Sequence, residues 1–164
     1  MPPETKREID KAIADHSHDG NLSKQVNYIE LFGEAPSNAH TEAQTIATTG
    51  NTDWYIIAPI NGRLTEADFS GTDVLAVSDT NFITFSITNL DRDGAGSTAL
   101  LSTAAENTTQ STGGSALAAN TVRELVLTTT FNTIQRGDRL RIRAAVTNTL
   151  ANTVTNSVYT LRFV

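Results

Sequence analysis

Residues 53–69 read DWYIIAPINGRLTEADF, and how they are taken decides the fold. Trp54, Ile56, Ala58 and Ile60 fall on one side of an extended chain, with Tyr55 and Ile57 on the other. That two-residue period marks a half-buried strand. Asn61-Gly62 follows directly, the pair that two-residue turns favour because both positions need a positive φ. The stretch therefore predicts strand, hairpin turn, strand. The same alternation recurs in NFITFSITNL (81–90), with Ile83, Phe85 and Ile87 set against Phe82, Thr84 and Ser86. It recurs in RGDRLRIRAAV (136–146), where Leu140, Ile142, Ala144 and Val146 alternate with Arg139, Arg141 and Arg143, and in SVYTLRFV (157–164), where Tyr159, Leu161 and Phe163 share a face.

Shorter strands are expected in TDVLAVS (72–78) and VRELVLTTTF (122–131). A weak strand is expected in STALLST (97–103), inside a segment, 91–120, that is rich in Gly, Ser, Thr and Ala and otherwise reads as long loops. About eight strands at spacings of about ten residues, with no helix after residue 15, predict an all-β antiparallel jelly roll or sandwich. No fixed-period repeat points to a solenoid or propeller.

Composition agrees. Thr and Asn together make up about a quarter of the 164 residues. Thr suits a pleated surface through its branched Cβ, and Asn suits turns because it tolerates left-handed backbone. The chain has no cysteine, so neither disulfides nor thiolate metal sites are available, which fits maturation in a reducing cytoplasm. A net charge of −6 argues against nucleic acid as a partner. No apolar run is long enough for a membrane helix, and none has the flanks of a signal peptide.

The N-terminal part, residues 1–42, is expected to be a helix and an extended arm that serve anchoring or oligomer contacts, ahead of a β body over 43–164. PETKREIDKAIAD (3–15) has Pro3 where a first helical turn tolerates it, and Ile9, Ala12 and Ile13 form a narrow apolar stripe. A helix this short needs a surface to lie on. VNYIELFGEAP (26–36) supplies further apolar residues for pairing. Ile9, Ile13, Tyr28, Ile29, Leu31 and Phe32 are the expected apolar anchors for a partner.

Between them, His16 and His18 sit in HSHDG with Asp15 and Asp19 beside them. Imidazoles two apart on an extended chain point the same way and suit a transition metal, but closing a site needs a third ligand, such as His40, or symmetry-related copies. The preferred reading is a polar hinge with no metal and no cofactor. Arg136-Gly137-Asp138 spells an adhesion tripeptide, yet its place before a strand reads as a turn. DRDGAG (91–96) begins like a calcium loop but lacks the later ligands, so it too reads as a turn. Arg139, Arg141 and Arg143, with Arg162 on a possible neighbouring strand, are either a solvated face or a docking face for an acidic surface. Trp54, Tyr55 and Tyr159 could stack on sugars, although a chain with so few aromatics is expected to spend them in its core. There is no nucleophile elbow, phosphate loop or zinc-protease helix motif, so no enzyme is expected.

The strand-and-turn cadence of APINGRLTEADFSGTDVLAVSDTNFITFSITNL, the Gly/Ser/Thr-rich stretch after it, and TIQRGDRLRIRAAVTNTLANTVTNSVYTLRFV resembles the jelly-roll capsid decoration, or cement, proteins of tailed bacteriophages. The resemblance covers about residues 43–164 and rests on no invariant motif. It implies a structural protein of the virion, assembled in the host cytoplasm. Such a protein would sit as a homotrimer on the outer capsid surface and bind the major capsid protein, with no small-molecule substrate, nucleic acid or membrane. Related sandwiches in head and tail fibres make an adhesin domain binding cell-surface glycan the alternative.

Overall fold

The computed structural model describes residues 36–130 and 133–164, and within them every regular element is a strand. In chain order these are β1 (Ser37–His40), β2 (Gln44–Ile46), β3 (Asn51–Ile57), β4 (Gly62–Ser70) and β5 (Phe82–Asn89). They continue with β6 (Thr98–Ala99), β7 (Arg123–Glu124), β8 (Thr133–Ile134), β9 (Arg139–Thr147) and β10 (Val154–Phe163). The long strands are those whose apolar residues alternate most cleanly. In β5 every second residue, Ile83, Phe85 and Ile87, is buried, and in β9 Leu140, Ile142 and Ala144 turn inward while the arginines turn outward.

The pairing is nested. β5 pairs with β6, β4 with β7, β3 with β9 and β2 with β10, each antiparallel, like a single ribbon folded back on itself. The ribbon is rolled so that alternate pairs fall in opposite sheets. The back sheet runs β1-β10-β4-β7, with β2 also on β10 and β8 on β4, and the front sheet runs β3-β9-β5-β6. The β10–β4 and β9–β5 contacts close the roll. This is the jelly roll, which leaves few long unprotected edges.

Asn61-Gly62 does not make the expected hairpin. β3 and β4 belong to different sheets, so residues 58–61 cross from front to back. Asn61 is not among the residues with positive φ, and Gly62, at φ 158°, is extended. A type I′ turn needs both residues left-handed, so the pair is used otherwise. Gly62 is needed for space: a Cβ there would lie 2.2 Å from the Val164 carbonyl oxygen.

Two further expectations are revised. TDVLAVS is not a strand but a loop held by one bridge, Leu75 to Leu117. The β body starts before residue 43, because Ser37–His40, counted with the arm, pairs with Phe163 to Thr160 of β10. Small polar residues had hidden that strand, whose register comes from its backbone. The core lies between the sheets, where Trp54, Phe69, Phe85 and Tyr159 from four strands pack ring against ring at centroid distances of 4.8–6.4 Å.

Candidate functional site: the basic face of the front sheet

Alternation on β9 sends Arg139, Arg141 and Arg143 to the outside, and the register decides what they meet. Across β9, Asp53 stands opposite Arg143, Tyr55 opposite Arg141 and Ile57 opposite Arg139 on β3. On the other flank, β5 places Ser86 beside Arg143 and Thr88 beside Arg141. These form a shallow sheet face with three guanidiniums, one carboxylate, small hydroxyls, a half-exposed Tyr55 (48%) and an exposed Ile57 (60%).

Each arginine is used differently. Arg143 grips Asp53 through two parallel bonds, Nε to Oδ1 at 2.6 Å and Nη2 to Oδ2 at 2.7 Å. This bidentate geometry is the strongest form of the pair. It holds the Asp53 carboxyl below its ordinary pKa, chiefly through the Arg143 hydrogen bonds, against the opposing effect of burial. Arg139 lies over the Tyr55 ring, with Cζ 4.3 Å from the centroid, a cation–π contact that covers one face of the ring. Arg141, between them, has no carboxylate opposite it, and its Nε is sealed from solvent without an acceptor.

The back sheet sets carboxylates side by side. On the back sheet Asp68 stands directly opposite Glu124, with Glu66 nearby on β4. Burial, then Glu124 and Glu66, raises the Asp68 carboxyl above its ordinary pKa. Arg162 lies here rather than beside the arginine row, 2.9 Å from Glu66. His40 is on this side too, its Nδ1 3.0 Å from the Thr160 hydroxyl.

The two turn motifs meet at one end of the roll. Arg139 donates its backbone N–H to the Asp91 carbonyl (3.2 Å), and the Arg92 guanidinium reaches the Arg136 carbonyl. They line a polar cleft of about 530 Å³ with Asn89, Asp93, Thr98, Gln135 and Asp138 around it. Asp138 is 4% exposed and accepts from the Gln135 backbone N–H and the Asn89 side chain. The carboxylate of Arg-Gly-Asp is thus turned inward as a turn-forming group, unavailable to an adhesion receptor.

Among the described residues the structure places the arginine row together on one outer face. Ile9, Ile13, Tyr28, Ile29, Leu31, Phe32, His16 and His18 lie outside the described residues. Among the described residues no group of three or more His, Asp or Glu is arranged to hold a metal ion. No helix there is long and apolar enough to cross a membrane. Trp54 and Tyr159, the candidate sugar platforms, are 2% and 0% exposed and belong to the core. Asp53, Tyr55 and Ile57 are members of the basic face that sequence reasoning left apart from the arginines. Their outward alternation was visible, but the strand they would lie against was not.

No protein-family profile matches the chain, and no curated protein matches it. Among solved structures, a xylan-binding module, CBM15, is similar at a TM-score of 0.40 and 17% identity, over 79% of this chain and 86% of that one.

Proposed function

We propose that the chain is a non-catalytic docking protein that decorates the outer surface of a tailed-phage head, with its basic sheet face against an acidic surface of the major capsid subunits. One observation carries this reading: the front face of an acidic chain gathers three guanidiniums against one carboxylate. Like charges in a row repel unless something compensates them, and an acidic macromolecular surface does so over the whole row. The shape agrees, because a broad, shallow face with an exposed isoleucine suits another protein better than a small substrate. Its carboxylate is engaged by Arg143, and one face of its half-exposed tyrosine is stacked under Arg139. The resemblance of the strand cadence to that of capsid decoration proteins points to the same partner. A trimer would add three such contacts at once.

The test is thermal rupture of capsids with and without the protein. Capsids carrying the wild-type chain should rupture at higher temperature, and a variant with Arg139, Arg141 and Arg143 all changed to Ala should give no protection. Equal rupture temperatures with and without wild-type protein would end the reading. The polar cleft favours a second reading, a glycan-binding adhesin, because the exposed Thr98 and Gln135 carry hydrogen-bonding groups at the rim of an open hollow. Saturable glycan binding that is lost on Thr98→Ala or Gln135→Ala, with no capsid binding, would establish that reading instead.

A further inference from the structure

We infer that Arg141 is the anchor of the basic face, a guanidinium held open for a carboxylate side chain of the partner protein. This inference rests on the docking reading above and adds which residue selects the partner and by what chemistry. The three arginines stand about 7 Å apart along β9 at two-residue spacing. Two of them are engaged within the fold: Arg143 by Asp53, and Arg139 by the Tyr55 ring. Arg141 faces Tyr55 on one side and Thr88 on the other, neither of them anionic. Its Nε is sealed inside the fold with no acceptor, so a partner carboxylate would meet the guanidinium end-on, through Nη1 and Nη2. A residue such as threonine would avoid that unmet donor at the same register position.

The chemistry of the missing group follows. A planar guanidinium fork takes a carboxylate through two parallel bonds, which a neutral ligand cannot match. Thr88 and Tyr55, its register neighbours on the two flanking strands, are hydroxyl-bearing residues and add no competing charge. Ile57 and Tyr55 beside it offer apolar area to whatever carries the carboxylate. That combination fits an acidic protein surface better than a free anion, and its positive charge complements such a surface.

The experiment titrates the full chain with poly-L-glutamate at low and at physiological salt, alongside polygalacturonate as the carboxylate-bearing glycan. Wild type should bind poly-L-glutamate more tightly at low salt. Arg141→Ala should weaken binding about tenfold or more, as truncation of an interface hot spot does. Arg141→Lys should restore only part of the loss, and Arg162→Ala on the back sheet should change nothing. Because Arg141→Ala removes an unsatisfied donor, its melting temperature should equal or exceed that of wild type, which separates lost binding from lost fold. Arg141→Ala binding within twofold of wild type would overturn the inference. Binding to polygalacturonate alone would transfer the site to a glycan. Salt-sensitive self-association abolished by Asp68→Asn with Glu124→Gln would name a second copy as the occupant. If capsids gain no stability while poly-L-glutamate binding still needs Arg141, only the capsid reading fails.

Discussion

Replacing Gly62 with alanine tests the crossover on which the whole roll depends. The added methyl would lie 2.2 Å from the Val164 carbonyl oxygen and 2.9 Å from its carbon, both backbone atoms. That carbonyl is fixed by the Arg63 N–H at 2.7 Å, and the Val164 N–H returns a bond to the Arg63 carbonyl at 2.9 Å. Phe163, immediately before it, is fully buried, so the end of β10 cannot swing away without disturbing the core. Overpacking of this kind costs about 1–3 kcal/mol. Weakening two backbone hydrogen bonds adds about 1 kcal/mol. A total of about 3 kcal/mol lowers the melting temperature by about 9 °C in a chain of this size. The internal control is Gly94→Ala. Gly94 has a φ of 80° and nothing within 4 Å of a built Cβ, so only the left-handed penalty of about 1 kcal/mol applies. Urea unfolding of the two variants, with unchanged m-values, measures the difference. A Gly62→Ala cost no larger than that of Gly94→Ala would refute the crossover geometry and return the Asn-Gly pair to an ordinary turn.

Tyr159→Phe should leave the protein as stable or about 1 kcal/mol more stable, since the Tyr159 hydroxyl is buried with no partner; a loss above about 1 kcal/mol in urea unfolding would contradict that placement. Two aspartates should give opposite pH signatures. The Asp53 carboxyl titrates below its ordinary value near 3.8 in the fold, so its stabilising contribution is full above that value and is lost as the pH falls through the lower folded one. Asp53→Asn should therefore destabilise at pH 7 and make no difference at the acid extreme. The Asp68 carboxyl titrates above its ordinary value, so its ionisation destabilises as the pH rises; Asp68→Asn should stabilise at pH 7, with the gain fading at low pH. The same sign for both in pH-dependent denaturation would show that the two carboxylates are not placed as described. Arg123 donates to the Thr108 carbonyl at 2.7 Å and the Ser115 carbonyl at 2.9 Å, so Arg123→Met should speed amide hydrogen exchange over 107–117 and leave β9 protected.

The fold class was legible because it depends on period. Ile83, Phe85 and Ile87, or Leu140, Ile142 and Ala144, need no partner to declare that one side of their strand is buried. Pairing is another matter. Asp53 and Arg143 are 90 residues apart, and nothing local to either says that β3 lies against β9. The basic face is a product of that pairing, so its arginines were visible while Asp53, Tyr55 and Ile57 were not assigned to them. Asn61-Gly62 misled for a related reason. A glycine chosen so that another backbone can approach looks the same in sequence as one chosen for a left-handed turn.

The segment 91–120 shows where reading by apolar period stops working. It looked like loop because few of its residues are bulky, yet Asn107, Thr108 and Thr109 are almost wholly buried along the outer edge of β5. There the polar side chains do part of the work of a strand. Asn107 donates to the Val126 carbonyl and accepts from its N–H, at 3.0 and 2.8 Å. Thr108 donates its hydroxyl to the Ile83 carbonyl at 2.8 Å, and Thr109 accepts from the Ile83 N–H at 2.9 Å. Backbone groups that would be stranded at the edge of the front sheet are thereby satisfied without a regular ladder. The abundance of Thr and Asn is thus more than a taste for strands and turns, because these residues cap an edge that could otherwise pair with another chain. With that edge closed, the remaining long edge strand of the front sheet is β3, which sets Asp53, Tyr55 and Ile57 against the arginines of β9. Under the docking reading proposed above, a partner would meet the sheet through charge and side-chain shape on that face rather than at the β5 edge, which would make the identity of Arg141 matter.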